Sequence, residues 1–393
     1  MRWTRLTVVV AIACALGCVG CGSQGSAPGT TAAVSGSGTA STGPGGPGQA
    51  SMGPLRAPWP ERGILPENSA VVNSNQVLDL ATRMLYVMVA ASPTSLALEA
   101  IGLRTGTVRR GTSYPVAGLA LASGYLWLYG VSGRHGHPVL DEVGPGTLSL
   151  VRSVSLPAVS GASDDGVTAV ASGPAGSVWA SLGSVLLRVS ASTGAVLART
   201  GSPGGLDVTD LALGPGGMNL YASAELPSGS GAVVLEYSAG TGRLLVRSAD
   251  RSLAWAINGA WLTAVPGGVW VSFRTGMMGL SGLLGARSLE VVRGFPRLNT
   301  SSRGIGTIYG WTGGAPSVYA GGALWVATED GIVACVNPAT GRVRAEETVP
   351  PQEGAAISAL VADGKARQVT AVIVNPPGFT GVVTISPPRR CWG

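Results

Sequence analysis

From about residue 62 onward, short apolar runs recur at intervals of roughly 40–55 residues. Each run has an aromatic residue at its centre and is apolar at nearly every position, without the alternation of a half-exposed strand. Continuous apolar runs of this length are expected where sheets stack face to face and both faces of a strand are buried. The aromatic centres are Tyr86, Trp127, Trp179, Tyr221, Trp270 and Trp325.

A second element, a Thr-Gly turn, accompanies these runs. It occurs in the segments Arg104–Val108, Ser192–Val196, Gly240–Leu244 and Ala339–Val343. Glycine readily adopts the positive φ that tight hairpins need, so each turn is expected to join two antiparallel strands. No long stretch shows the 3.6-residue apolar periodicity of an amphipathic helix, and helix is therefore expected to be scarce.

A unit of 40 to 50 residues with about four short strands is typical of a β-propeller. A run at Val369–Val374 has the position of a seventh centre but lacks the aromatic residue. The sequence thus predicts an all-β fold, a seven-bladed β-propeller of four-stranded antiparallel blades. The blades are predicted at residues 74–114, 115–158, 159–204, 205–255, 256–302, 303–352 and 353–393.

The sixth repeat carries a family resemblance. Gly322–Ala327, Ile332–Pro338 and the Thr-Gly turn at Ala339–Val343 resemble the bacterial YVTN and virginiamycin-lyase-like seven-bladed propellers. The resemblance covers residues 62 to 393 and concerns fold alone, because its motifs are shared by proteins of many functions.

The resemblance has two further implications. Rings of this family often close by lending a strand from the opposite terminus, which makes Ser69–Val72 the expected fourth strand of the last blade. The lyase branch uses a histidine base in its later blades, and this chain has no histidine after His137. Lyase activity of that kind is therefore not expected.

The N-terminal segment indicates export. Two early arginines precede an apolar run from Leu6 to Gly20, too short for a comfortable membrane span but typical of a secretory signal peptide. Small residues followed by cysteine resemble a bacterial lipobox, so Cys21 is the expected lipidation site and Cys18 the alternative. An ordinary cleaved signal peptide with incidental cysteines is the other reading. The expected location is the cell membrane, with a lipid anchor on the extracytoplasmic side.

The segment after Cys21 is expected to be a tether. Residues 22 to 58 consist almost entirely of Gly, Ser, Thr, Ala and Pro and carry no charge before Arg56, so they cannot bury enough surface to fold. The predicted organisation is a lipoprotein signal peptide at 1–20, a disordered tether at 21–61 and the propeller at 62–393.

Charge and cysteine content refine the expected partners. The chain has 26 basic and 20 acidic residues, and its arginines are spread along the sequence without the stripe of a nucleic-acid-binding protein. No nucleic-acid partner is expected. With the leader removed, Cys335 and Cys391 remain as a pair, and in an exported protein they favour a disulfide over two buried thiols.

Catalytic motifs of the common hydrolase, nucleotide-binding and zinc-protease types are absent from the sequence. His135 and His137 alone do not supply the three or four ligands of a metal site, so neither a metal nor another cofactor is expected. Propellers usually bind ligands through the loops at one end of the ring. The candidate residues there are Tyr114, His135, His137, Asp164, Asp165, Asp207, Trp255 and Trp311.

Two functions remain open. The first is a non-catalytic binding or scaffold module for an unknown protein or a cell-envelope glycan. The second is an extracellular hydrolase or lyase in which Asp164, Asp165 and Asp207 raise one another's pKa and supply an acid and a base.

Overall fold

The computed structural model describes residues 71 to 392 with gaps. The gaps are residues 80, 93–94, 104, 106, 115, 132–137, 160–166, 228–230, 250–260, 276–277, 286–287, 291–299, 302–316, 328–331, 349–355, 365–366 and 376–378. All described residues belong to one compact unit. The predicted leader, the tether and both candidate lipidation cysteines lie outside the described residues.

The described strands form seven antiparallel sheets, which we number as blades 1 to 7. Blade 1 contains β1 (Val71–Asp79), β2 (Met84–Ser92), β3 (Ser95–Gly102) and β4 (Val108–Tyr114); blade 2 contains β5 (Val116–Ala122), β6 (Tyr125–Val131), β7 (Pro138–Val143) and β8 (Leu150–Ser155); blade 3 contains β9 (Val167–Gly173), β10 (Ser177–Leu182), β11 (Val185–Ser190) and β12 (Val196–Gly201); blade 4 contains β13 (Asp207–Leu213), β14 (Asn219–Glu225), β15 (Ala232–Ser238) and β16 (Leu244–Arg247).

The remaining blades are shorter or less complete. Blade 5 contains β17 (Trp261–Val265), β18 (Gly268–Thr275), β19 (Met278–Gly285) and β20 (Thr300–Ser301); blade 6 contains β21 (Ser317–Ala320), β22 (Ala323–Ala327), β23 (Ile332–Val336) and β24 (Val343–Thr348); blade 7 contains β25 (Ala356–Asp363), β26 (Gln368–Asn375) and β27 (Phe379–Ile385). Helix is limited, among the described residues, to two three-residue 3₁₀ helices. The all-β fold of seven mostly four-stranded blades is confirmed.

The aromatic centres lie on the second strands of blades 1 to 6. Trp127, Trp179, Trp270 and Trp325 are fully buried. The core is divided into apolar clusters, and each cluster joins two neighbouring blades: Trp127 packs with strands of blades 2 and 3, and Trp179 with strands of blades 3 and 4. The hydrophobic effect therefore holds the blades to one another as much as it holds each sheet together.

The Thr-Gly turns join the third and fourth strands and also fasten adjacent blades. Gly242 has a φ of 74°, and a Cβ there would stand 3.1 Å from the Trp179 ring of the preceding blade. Two hydrogen bonds also connect blades 3 and 4 at this turn. The indole N–H of Trp179 donates to the carbonyl of Ala239 at 3.1 Å, and Arg188 donates to the carbonyl of Gly240 at 2.5 Å. The glycine is thus required by its conformation and by the close approach of the tryptophan.

The first strand of each blade is innermost, because these strands contact one another from blade to blade. β1 contacts β25, so the described strands form a closed ring. An ion pair strengthens this seam: Arg83 in the β1–β2 turn lies 2.7 Å from Asp363 and also donates to Gln368 at 2.7 Å.

The predicted closing strand at Ser69–Val72 is wrong. Val71 pairs with Val89 of β2, so Val71 and Val72 begin the innermost strand of blade 1. A strand that completed blade 7 would lie outside β27, at the outer wall of the ring, and one segment cannot occupy both positions. Among the described residues, the sheet of blade 7 has three strands.

The C-terminal tail occupies the joint between blades 6 and 7. Residues Arg389–Cys391 form a 3₁₀ helix, and Arg344 of β24 donates to the carbonyl of Arg390 at 3.4 Å. The sulfur atoms of Cys335 and Cys391 are in bonding contact, and their Cα atoms are 6.0 Å apart, within the range that disulfides span. The geometric condition for the expected disulfide is met, and oxidation of the pair in the mature protein stays a prediction.

Candidate binding faces

The antiparallel order of the strands divides the connections into two sets. The turns between first and second strands and between third and fourth strands lie at one end of each blade, here called the turn face. The loops between second and third strands and the links between blades lie at the other end, here called the loop face. Contacts such as that between the Ser123 and Gly176 turns keep corresponding turns of neighbouring blades side by side.

The structure describes two of the eight candidate loop-face residues, Tyr114 and Asp207. Asp207 is exposed as the first residue of β13, at the loop face, and Tyr114 is the last residue of β4, where its backbone pairs with Leu96. The remaining candidates, His135, His137, Asp164, Asp165, Trp255 and Trp311, lie outside the described residues. The proposed grouping of Asp164, Asp165 and Asp207 therefore stays a prediction.

Asp210 on β13 is a titratable residue that the sequence analysis missed. One carboxylate oxygen accepts the backbone N–H of Leu262 at 2.8 Å, which links blade 4 to the innermost strand of blade 5. Part of its surface stays exposed, yet protein atoms enclose the carboxylate closely enough that burial raises its pKa to about 7. The bonds from Leu262 and Leu211 lower the pKa but do not compensate for the burial.

Hydroxyl groups make similar links to innermost strands of the next blade, from the second strand β6 in the case of Tyr129 and from innermost strands in the cases of Thr168 and Thr263. The phenol of Tyr129 donates to the carbonyl of Thr168 at 3.1 Å, and the hydroxyl of Thr168 donates to the carbonyl of Val208 at 2.6 Å. Thr263 likewise donates to the carbonyl of Ser317 at 3.1 Å. Innermost strands are edge strands whose backbone groups need partners, and these side chains supply them.

Asp210 is therefore a structural link that also titrates near neutral pH. Burial raises the pKa of Tyr129, and the negative charge of Asp210 raises it further, so the two groups interact electrostatically. Asp207 lies on the same strand as Asp210, nearer the loop face, and its register partner Glu225 lies on β14. Within the described part of the chain, no three His, Cys, Asp or Glu residues are grouped to hold a metal ion.

The turn face has a different chemistry. Every large apolar side chain that is exposed among the described residues lies in blades 2 to 4. These residues are Tyr125, Leu150, Val151, Val196, Leu197, Met218, Leu244 and Leu245. Six of them are the first two residues of the fourth strands β8, β12 and β16, directly after the turn. We call all eight residues the apolar rim.

Basic residues occupy the other side of the same face. Arg342 follows the Thr-Gly turn of blade 6, Arg367 lies in a turn of blade 7, and Arg389 and Arg390 lie in the tail; all four are exposed. We call these four the basic arc. Arg342, Arg367 and the adjacent pair Arg389 and Arg390 are separated in the sequence, and the ring topology brings them to one end of the molecule.

Across the ranges the structure describes, no helix is long and apolar enough to span a lipid bilayer.

Comparison with known proteins supports the architecture. The sequence matches no protein-family model and no curated protein. Among solved structures, the WD40 domain of Pan2 from Neurospora crassa is similar at a TM-score of 0.54 and 9% identity, over 81% of this chain and 90% of that one. BamB from Moraxella catarrhalis aligns at a TM-score of 0.46 and 13% identity, over 86% of this chain and 99% of that one. The chain shares the β-propeller fold with the Pan2 domain.

Proposed function

We propose that the protein is a lipid-anchored, extracytoplasmic binding or scaffold module that presents its loop face to a protein or a cell-envelope glycan. The observation that carries the proposal is the variable length of the inter-blade links at the loop face, which range from residue 115 alone between β4 and β5 to the 15 residues 302–316 between β20 and β21. Loops of variable length on a rigid scaffold are where binding proteins place their recognition residues.

The binding test compares co-purification of cell-envelope material with two variants. The double variant Trp255→Ala, Trp311→Ala removes two aromatic side chains that the sequence predicts for the loop face. Tyr125→Ala removes an exposed aromatic side chain from the turn face and serves as the matched control. The proposal expects the loop-face variant to lose a partner that the control retains. Equal recovery of envelope material by all three proteins would contradict it.

The anchor rests on the short apolar leader, Cys21 and the uncharged segment that follows. Replacing Cys21 with Ser is expected to release the protein from membranes or to block its maturation. Retention of Cys21→Ser together with release of Cys18→Ser would show that Cys18 is the lipidated residue. Retention of both single variants and of the double variant would refute the anchor.

An extracellular hydrolase or lyase is the second candidate, and Asp210 is the observation that favours it. A carboxyl group with a pKa of about 7 can exchange a proton at neutral pH, as a general acid or base must. Asp207, on the same strand, would be the second carboxylate. Hydrolysis of envelope polymers by the wild-type protein that disappears in both Asp207→Asn and Asp210→Asn would favour this function over simple binding.

A further inference from the structure

We infer that the turn face lies on an anionic lipid surface, with the apolar rim in the interfacial region and the basic arc against lipid phosphates. The inference goes beyond the proposed function, because it concerns the opposite end of the ring and fixes the orientation of the propeller on the membrane. The loop face would then point away from the bilayer.

The apolar rim supplies the first argument. Met218 is 74% exposed, and Leu150, Val151 and Leu197 are each exposed by half or more. Aliphatic side chains as exposed as these carry a hydration cost that a soluble surface rarely keeps in one place. Six of the eight rim residues occur as pairs at the ends of three adjacent outer strands, and Met218 lies in the β13–β14 turn at the same end of the ring. This spread-out arrangement fits a broad interface better than a single peptide groove.

The charge of the face supplies the second argument. In blades 2 to 4, the turns and the strand residues of the rim include Arg243 and no acidic residue. In blades 6 and 7, the basic arc adds four exposed arginines. Exposed aliphatic residues beside arginines match a membrane surface, where acyl chains receive the apolar groups and anionic head groups receive the charges.

The acidic residues of the turn face do not cancel this charge. Asp363 is buried and paired with Arg83, and Asp79, which accepts hydrogen bonds from the backbone and hydroxyl of Thr82, is one acidic residue against the four arginines of the basic arc. Glu290 of blade 5 is the exposed exception among the described turns. It lies between the apolar and basic sides and would face the lipid head groups at the edge of contact.

The test uses the full-length protein, purified in detergent and reconstituted into vesicles of phosphatidylcholine alone or of phosphatidylcholine and phosphatidylglycerol in equal parts. Hydroxyl-radical labelling of Met218 reports contact of the turn face with lipid, and labelling of Pro227 at the loop face is the internal control. We expect Met218 to be oxidised several-fold more slowly on the anionic vesicles, with Pro227 unchanged. High salt should restore the oxidation of Met218, since the attraction is screened.

A charge variant sharpens the test. The variant Arg342→Gln, Arg367→Gln, Arg389→Gln, Arg390→Gln removes the basic arc, and each lost arginine should weaken attraction to the anionic surface about fivefold. The matched control, Arg199→Gln, removes an exposed charge from the middle of β12, away from the turn face. The quadruple variant should lose the protection of Met218 and the control should keep it.

The failure of this inference is distinguishable from the failure of the proposed anchor. Flotation with phosphatidylcholine vesicles reports the anchor, whereas protection of Met218 that depends on phosphatidylglycerol reports the turn face, with or without an anchor. Equal oxidation of Met218 on both vesicles would overturn the inference. Protection that occurs in native membranes but not on lipid vesicles would also overturn it and would indicate a protein partner.

Discussion

Asp210 differs from Asp207 at the start of the same strand, because its carboxylate is enclosed by protein atoms and accepts the N–H of Leu262, whereas Asp207 is exposed. The aromatic centres and the Thr-Gly turns could be predicted from the sequence, since their roles follow from burial and backbone conformation. Asp210 could not, because its role depends on a hydrogen bond from Leu262, which is 52 residues away in the sequence and belongs to the next blade. An acidic residue inside the segment Asp207–Leu213 was the available signal.

The raised pKa of Asp210 has a consequence for stability. In the unfolded chain the carboxyl loses its proton near its ordinary pKa, whereas the folded protein keeps the proton until about pH 7. The free energy of unfolding should therefore fall as the pH rises between about 4 and 7, and the loss should be complete above that range.

The variant Asp210→Asn tests this expectation, because its amide oxygen can still accept the N–H of Leu262. We expect the variant to be more stable than the wild type by about 4 kcal/mol at about pH 8, and to lose that advantage at about pH 4. Urea unfolding at both pH values measures the difference. An advantage that did not change with pH would mean that Asp210 is ionised throughout in the folded protein.

Gly321 is a second residue with a specific requirement. Its φ is 59°, and a Cβ there would overlap the ring of Trp392. We expect Gly321→Ala to destabilise the protein by about 2–4 kcal/mol, because strain at positive φ adds to the displacement of the tryptophan.

Gly124 is the matched control for this substitution. It also lies in a first-to-second-strand turn with φ 80°, but no atom lies within 4 Å of a Cβ at its position. Gly124→Ala should cost only about 1 kcal/mol. Thermal unfolding of both variants separates backbone strain from the contact with Trp392, and equal losses would show that the contact does not contribute.

At the scale of strands, one position shows how neighbouring blades are joined. The third-strand residue opposite the aromatic centre is Glu142 in blade 2, Arg188 in blade 3 and Cys335 in blade 6. Glu142 pairs with Arg152, which donates to the carbonyl of Ala191 in blade 3, and Arg188 donates to Gly240 in blade 4. Cys335 makes the corresponding link to the tail through sulfur. The sequence indicated the pair of cysteines, but not that Cys335 holds the position occupied by the charged residues Glu142 and Arg188 in blades 2 and 3.

The disulfide is expected to stabilise the last joint. Its sequence separation is 56 residues, and closing a loop of that size is worth about 3–4 kcal/mol in the chain-entropy model. We expect the double variant Cys335→Ala, Cys391→Ala to lose about that much in urea unfolding under oxidising conditions.

Reduction provides the control for the cysteine variants. A reductant should lower the stability of the wild type to that of the double variant and should leave the variant unchanged. Detection of two free thiols in the mature oxidised protein would show that the pair stays reduced.

For the whole molecule, the number of blades could be predicted from the spacing of the aromatic centres. The way in which the ring closes between blades 7 and 1 could not be predicted. The prediction of a lent strand came from a family resemblance, whereas Val71 is paired within blade 1. The seam between blades 7 and 1 instead depends on contacts between innermost strands and on Arg83. The sequence does not indicate the bonds of Arg83 to Asp363 and Gln368, because these residues are about 280 positions away from it.

Replacing Arg83 with Met tests the seam, because Asp363 has only 6% of its side chain exposed and would lose a charged partner. We expect a loss of about 2 kcal/mol or more and faster hydrogen exchange in β1 and β25 than in β9 and β13. Arg199→Gln, which removes an exposed arginine of the outer wall, should leave both measurements unchanged. Uniform acceleration of exchange around the ring would show that Arg83 supports the fold generally and not the seam.

The position of β1 also determines how the ring would respond to a mechanical load. The preceding segment of the chain joins the molecule at Val71, at the start of an innermost strand whose register with β2 is interrupted between Val71 and Gln76. A pull through that segment, such as the drag of a partner on a tethered protein, would load backbone bonds of β1 in shear before it reached any outer strand. The loosely registered residues from Val71 to Gln76 would extend first, so the ring would remain closed at Arg83 while they took up the strain.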